Sequence, residues 1–194
     1  MIEPVILQNT NVRLEPLNTE HADALAELVT DGNLWELVVT SAPEPKNSQK
    51  YIQNALNTAD RLAFAVIDKK TNNLIGTTSY HDILANVKRL EIGYTFYGKS
   101  YWRSHVNTSC KLLLLTHAFE TLAWQTVGWR TDNLNHRSQK AIERLGAKKD
   151  GTIRGHALRR DGTVRDTVMY SMTKAEWADA KTKLVQKLKV KTTQ

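Results

Sequence analysis

The residues best suited to chemistry lie between positions 90 and 120. Leu90-Glu91-Ile92-Gly93-Tyr94-Thr95-Phe96 alternates like a strand and runs into Tyr97-Gly98-Lys99-Ser100-Tyr101-Trp102-Arg103-Ser104-His105-Val106-Asn107-Thr108. Residues 109–120, Ser-Cys-Lys-Leu-Leu-Leu-Leu-Thr-His-Ala-Phe-Glu, then form an apolar helical segment. A loop that opens into a buried helix presents backbone N–H groups with no intrahelical acceptor, which makes an anion site. The helix dipole adds partial positive charge there, and Lys99 and Arg103 add full charges. Strand, polar loop and helix in this order predict a phosphate cradle. Metal chemistry is not predicted: His21, His81, His105, His117, His136 and His156 are scattered, with no HxxxH or CxxC spacing. A Gly-x-Ser-x-Gly nucleophile elbow is absent as well.

Several elements must position this loop. Val12 to Leu17 alternates as a strand, and 21–29 and 48–59 have helical spacing. Two strands, 62–67 and 74–83, flank the polar turn 68–73 and predict a hairpin. A second hairpin, turning through 84–88, joins the latter strand to 89–96. After the apolar helix, Thr126 to Arg130 reads as a short strand. Asn133 or Asn135 is then placed to cap a helix whose apolar face is Ala141, Ile142 and Leu145, with Gly146 at its left-handed end. No repeat or linker divides the chain. The expectation is one α/β domain, 1–194, with a mixed, mostly antiparallel sheet flanked by helices, a core over about 12–177 and a basic tail helix over 178–194.

Composition narrows the class. The chain has 194 residues, of which 41% are hydrophobic and 24% charged. It contains no apolar run near the ~20 residues that span a bilayer, and its first residues do not read as a secretory signal. Cys110 is the one cysteine, which excludes an intrachain disulfide and fits a reducing, cytoplasmic setting. Charge is unevenly spread. Residues 1–60 carry nine acidic and three basic groups, whereas the remainder carries 24 basic and 11 acidic. Such runs commonly solvate exposed faces; they would also suit a polyanionic ligand on the basic part and a cationic one on the acidic part.

Three segments in order resemble the GNAT superfamily of acyl-CoA-dependent N-acyltransferases, and within it the RimJ/RimL-like branch. The first is the strand 90–96 with the loop after it. The family's pyrophosphate loop, Q/R-x-x-G-x-G/A, falls here on Trp102, Arg103, Ser104, His105, Val106 and Asn107, so neither small-residue position is kept, and His105 replaces a Gly whose missing Cβ would allow close backbone approach. The second is Asp132-Asn133-Leu134-Asn135-His136-Arg137-Ser138 through Leu145-Gly146-Ala147, similar to the family's D-x-x-N-x-x-S helix. The third is the closing hairpin, 151–172, with Glu176-Trp177 behind it.

The resemblance implies acetyl-CoA as acyl donor, a sheet splayed at its site, and acetyl transfer to a primary amine. That amine could belong to a protein N-terminus, a small molecule or an aminoglycoside-type acceptor. It implies contacts to the pantetheine arm from Tyr94, Thr95, Phe96 and Asn135, and a cradle at Trp102, Arg103, Ser104, His105, Val106, Asn107 and Thr108. Glu91 matches a general base position; a strand Glu can also face solvent or pair with a basic side chain. Ser138 matches a serine that protonates the departing sulfur; a helix Ser can instead bond back to its own turn. Trp35 and Tyr80 are candidate acceptor-cleft residues, though core packing explains each more simply. A monomer or homodimer is expected, with no membrane partner. A nucleic-acid-binding module or a CoA-binding fold without catalysis is the alternative; the first lacks any helix-turn-helix, zinc or aromatic RNA-binding motif.

Overall fold

The computed structural model describes residues 2–192, with side chains described through 189. In chain order the strands are β1 (Leu7–Gln8), β2 (Val12–Pro16), β3 (Leu62–Asp68), β4 (Leu74–Leu84), β5 (Arg89–Tyr97), β6 (Thr126–Asp132), β7 (Lys148–Leu158) and β8 (Val164–Thr173). The helices are α1 (Ala22–Thr30), α2 (Ser48–Leu56), α3 (Val106–Thr116), α4 (His136–Glu143) and α5 (Lys174–Thr192). The strands form one sheet in the order β1-β2-β3-β4-β5-β6-β8-β7. Every neighbouring pair is antiparallel except β5 and β6.

Helices cover both faces, which explains why β4 is buried from Leu74 to His81, Thr77, Thr78 and Ser79 included. Strand alternation sorts the side chains. Phe64, Val66, Tyr80, Leu90 and Ile92 face α3, where they join Cys110, Leu114, Phe119 and Trp177. Ala63, Ala65, Ile67 and Phe96 face α1 and α2, against Leu25, Val29 and Ile52. Tyr80 therefore belongs to the core and not to an acceptor cleft. It is 0% exposed, and its hydroxyl donates to the Leu114 carbonyl across 2.5 Å.

Most predicted elements are found, with shifted ends. The α3 helix begins at Val106, three residues earlier than its apolar run, because the Ser104 hydroxyl accepts from the Val106 N–H at 3.2 Å. It then loosens into a π-helical turn, His117–Thr121. The tail helix starts at Lys174; residues 193–194 of the predicted tail lie outside the described residues. Strand β1 has no sequence signal, being two residues long. No described helix is long and apolar enough to cross a membrane.

Candidate active site

The parallel pair β5 and β6 creates the site. Arg89, Leu90 and Glu91 pair with Thr126, Val127 and Gly128, and pairing stops there. Beyond Glu91, β5 keeps its bonds to β4 and β6 keeps its bonds to β8, so a gap widens toward the ends of both strands. Each of the two strands is followed by a helix, and the helix starts face the gap's open end. A crevice at the carboxyl ends of adjacent parallel strands is where α/β sheets bind ligands.

A bulge sharpens the opening. Ser79 pairs with Gly93 and Thr77 with Phe96, so two residues of β5, Tyr94 and Thr95, oppose Thr78 alone on β4. Tyr94 absorbs the mismatch at φ +50° and is exposed, while the Thr77 hydroxyl donates to its carbonyl at 3.1 Å. Thr95 and Phe96 turn their side chains into the protein: Thr95 meets Lys111 and Thr78, and Phe96 joins the α1–α2 core. Only their backbone edges are left for the gap.

The loop before α3 folds as a cradle by an unexpected route. The left-handed residue is Arg103 (φ +62°), while His105 is helical at φ −72°, ψ −18°. The Cβ of His105 therefore meets no backbone penalty where the family has Gly. Ser104 caps the Val106 N–H and the His105 carbonyl accepts from Ser109 at 2.9 Å. Asn107 and Thr108 then keep N–H groups with no acceptor among the described residues. The Trp102 indole donates to the Tyr97 carbonyl at 2.9 Å, and the Arg137 guanidinium lies 3.8 Å above the Trp102 ring. Burial and then the neighbouring charge of Arg103 hold the Arg137 pKa below its usual range. Two arginines thus attend the start of α3. Arg137 was absent from the predicted cradle; its signal was a charged residue at the start of the second motif helix.

On α4, the Asn135 side chain accepts from the Ser138 N–H at 3.0 Å, so Asn135 is the cap. Ser138 is half-buried, and its hydroxyl has no partner among the described residues. Gln139 ties the preceding turn down, donating to the carbonyls of Asn133 (2.9 Å) and Asp132 (3.3 Å).

Glu91 sits at the apex of the gap, on the α1–α2 face, and is 4% exposed. Its Oε2 accepts from Nε of Arg130 at 2.7 Å, and Oε1 lies 3.7 Å from Nη2 of Arg89. Burial raises its pKa against the pull of Arg89. Gly128 makes room for this group, since a Cβ there would fall 2.6 Å from Arg89 and 3.1 Å from the Glu91 Cγ. Arg130 also pairs with Asp82, whose other oxygen is 3.4 Å from Nδ1 of His81. Burial, then Arg130 and Arg61, push the His81 pKa down to about 4, so its imidazole is neutral at pH 7. His81 Nε2 packs on Gly93, where an added Cβ would lie 2.2 Å away. His81, Asp82 and Glu91 bring their polar atoms within 4.8 Å of one another, but Arg130 already occupies the space between the two carboxylates.

Two further features had no sequence signal. Lys111 is 4% exposed, and its ammonium donates to Thr95 (2.8 Å) and Thr78 (3.2 Å) with no carboxylate; burial lowers its pKa to about 8. Arg160, at the tip of the β7–β8 hairpin, donates to the carbonyls of Trp35, Thr40 (3.1 Å) and Ala42 (2.6 Å). This contact bridges the gap's open end, from the β6–β8–β7 half to the α1–α2 connection. Trp35 is half-buried there, packed on the α1–α2 core.

Comparison with known proteins agrees with this geometry. The family described as "Acetyltransferase (GNAT) domain" matches residues 11–148. The uncharacterized N-acetyltransferase p20 of Bacillus licheniformis is 25% identical over 176 residues, 89% of this chain and 98% of that one. A crystal structure from T. thermophilus, described as an acetyltransferase, is 33% identical with a TM-score of 0.86, covering 97% of this chain and 99% of that one. A GCN5-related N-acetyltransferase from Brucella melitensis is 28% identical with a TM-score of 0.87, covering 96% and 86% respectively.

Proposed function

The chain belongs to the GNAT acetyltransferase family, and from that premise we propose that it moves an acetyl group from acetyl-CoA to the nitrogen of a primary amine. One observation carries this reading: the β5–β6 gap opens at Glu91, between the starts of two helices. The gap can take the pantetheine arm along the unpaired edge of β5. The N–H groups of Asn107 and Thr108, which have no acceptor among the described residues, together with Arg103 and Arg137 fit a pyrophosphate.

Acetyl-CoA would supply an activated thioester. The chain's own residues would manage protons around it. Glu91, facing the α1–α2 side, accepts a proton from the incoming ammonium, directly or through water. Its raised pKa makes it a stronger base than an exposed carboxylate, while Arg130 and Arg89 fix its position. Ser138, in the first turn of α4 and with a hydroxyl that has no partner among the described residues, offers a hydrogen bond to the departing sulfur. No Tyr stands on α4 to do this, since Ile142 is buried at the corresponding position. Trp35 lies beside the acceptor's route beneath the Arg160 bridge. The acceptor is an amine of the protein N-terminal type, as in the RimJ/RimL-like branch, or a small-molecule amine; both need the same deprotonation.

The test is thermal unfolding with acetyl-CoA, coupled to an assay of thiol release across acceptor amines. Acetyl-CoA should raise the midpoint in proportion to the logarithm of its concentration once saturating. A midpoint indifferent to acetyl-CoA at millimolar concentration would remove the proposal.

A further inference from the structure

The α1–α2 face of the gap carries two guanidinium groups that no carboxylate bonds among the described residues. On one side Arg61, just before β3, bonds only neutral partners among the described residues. Its Nε donates to Ser79 at 3.0 Å, its Nη2 to Tyr51 at 3.3 Å, and its carbon lies 3.7 Å over the Tyr94 ring. On the other side Arg165 of β8 is half-buried, and its Nε is closed to solvent with no acceptor among the described residues. The carboxylate that acts on Arg165 is Asp132, and Arg159 already holds both of its oxygens, at 2.7 and 3.0 Å. Between them, Arg130 and Arg89 share Glu91 and Asp82. Asp60 acts on Arg130 and His81 only from an exposed turn. Four arginines therefore face two buried or half-buried carboxylates, Glu91 and Asp82, and two exposed ones, Asp60 and Asp150, neither of which bonds an arginine among the described residues: Asp150 accepts from the Ser171 hydroxyl at 2.8 Å.

These charges form one field. Arg61 and Arg130 both act on His81, and Arg165 acts on Arg130. Among the acidic groups of the first 60 residues, Asp60 acts on this field from its exposed turn, and three others are engaged elsewhere. Asp31 accepts from the N–H and hydroxyl of Ser100, Glu15 pairs with Arg13 and His21, and Glu44 pairs with Lys46. Holding a desolvated guanidinium without a counter-ion is costly, and a ligand oxyanion removes the cost with charge-assisted hydrogen bonds.

We propose that the acceptor carries a carboxylate or phosphate besides its amine, and that Arg61 and Arg165 hold this anion from the two sides of the gap. The proposal rests on the acetyltransferase reading of the site. The anchored anion leaves the amine free to approach Glu91. Polyamines and other polycations are disfavoured, because they would meet like charge.

Two measurements decide it. With the cofactor site saturated by CoA, inorganic phosphate and succinate should each raise the unfolding midpoint of the wild type. Arg61→Met and Arg165→Met should shrink that rise several-fold while the CoA-induced rise shows both variants folded; Lys183→Met on α5 should not change it. In thiol release, β-alanine should outpace β-alaninamide, or phosphoethanolamine should outpace ethanolamine, by about tenfold or more in kcat/KM, the size expected of a charge-assisted hydrogen bond. Which pair shows the preference tells carboxylate from phosphate. A wild type that ignores both anions, or turns over amides and spermidine as fast as their anionic counterparts, overturns the proposal. CoA-dependent stabilisation in the same experiment would leave the acetyltransferase reading standing; its absence would fail that reading instead.

Discussion

Glu91 and Arg130 meet across the point where two strands part. The 2.7 Å bond from Nε of Arg130 to Oε2 of Glu91 joins β5 to β6 just beyond their last backbone pair, Glu91 with Gly128. It closes the apex of the gap and fixes a buried carboxylate on its α1–α2 face. Removing the charge of Glu91 should therefore act on chemistry more than on binding. Glu91→Gln should lower kcat by about 10²–10⁴-fold, the usual contribution of general acid–base help, with acetyl-CoA affinity nearly unchanged. The deficit should narrow at high pH as free amine becomes abundant. Because burial raises the Glu91 pKa, the rising limb of wild-type kcat/KM against pH should lie above 4.5. A limb that survives the substitution would assign the base elsewhere.

Ser138 gives a second kinetic test. Ser138→Ala should slow turnover at every pH below the pKa of the CoA thiol and leave CoA affinity nearly intact, since the Asn135 cap bonds the backbone N–H of residue 138 and not its hydroxyl. Wild-type kcat in this variant would leave the sulfur's proton to water.

Lys111 predicts a stability change of unusual sign. Its folded pKa is about 8 against 10.5 for the free side chain. At pH 7 the amine is charged in both states, and the folded state bears the cost of burying it. Between pH 8 and 10.5 the unfolded chain binds the extra proton, so this group's contribution to stability rises with pH. Lys111→Met should raise the midpoint at pH 7 by several degrees and flatten that rise. The hydroxyls of Thr78 and Thr95 would still bond each other at 2.8 Å. Unfolding curves from pH 6 to 10 check both; a lower midpoint in the variant refutes the argument.

Arg160 predicts a local change. One guanidinium caps three carbonyls of the α1–α2 connection, so Arg160→Ala should speed amide hydrogen exchange in residues 33–43 with little effect on β3 or β4. Local opening of this kind costs less than global unfolding. Unaltered exchange there would show that the bridge does not hold the connection.

The sequence by itself determined the local elements and their order. Alternation and apolar runs marked β3, β4, β5 and β6; polar turns marked the hairpins; Asn133 or Asn135 and then Gly146 marked the ends of the α4 segment, where the fold chose Asn135 as the cap and sets Gly146 at φ +98°. These signals are local, because hydrophobic periodicity and capping act over a few residues. Only the tertiary structure decided which groups meet. Glu91 and Arg130 are 39 residues apart, Arg160 reaches 118 to 125 residues back to the carbonyls it holds, and Arg61 and Arg165 come from opposite halves of the sheet. Sheet order and register set those meetings, and no spacing in the chain encodes them. Tyr80 shows the same limit from the other side. The chain alone leaves Tyr80 between a cleft role and the simpler reading of core packing; helices on both faces bury Gly76-Thr77-Thr78-Ser79-Tyr80-His81, so Tyr80 is core.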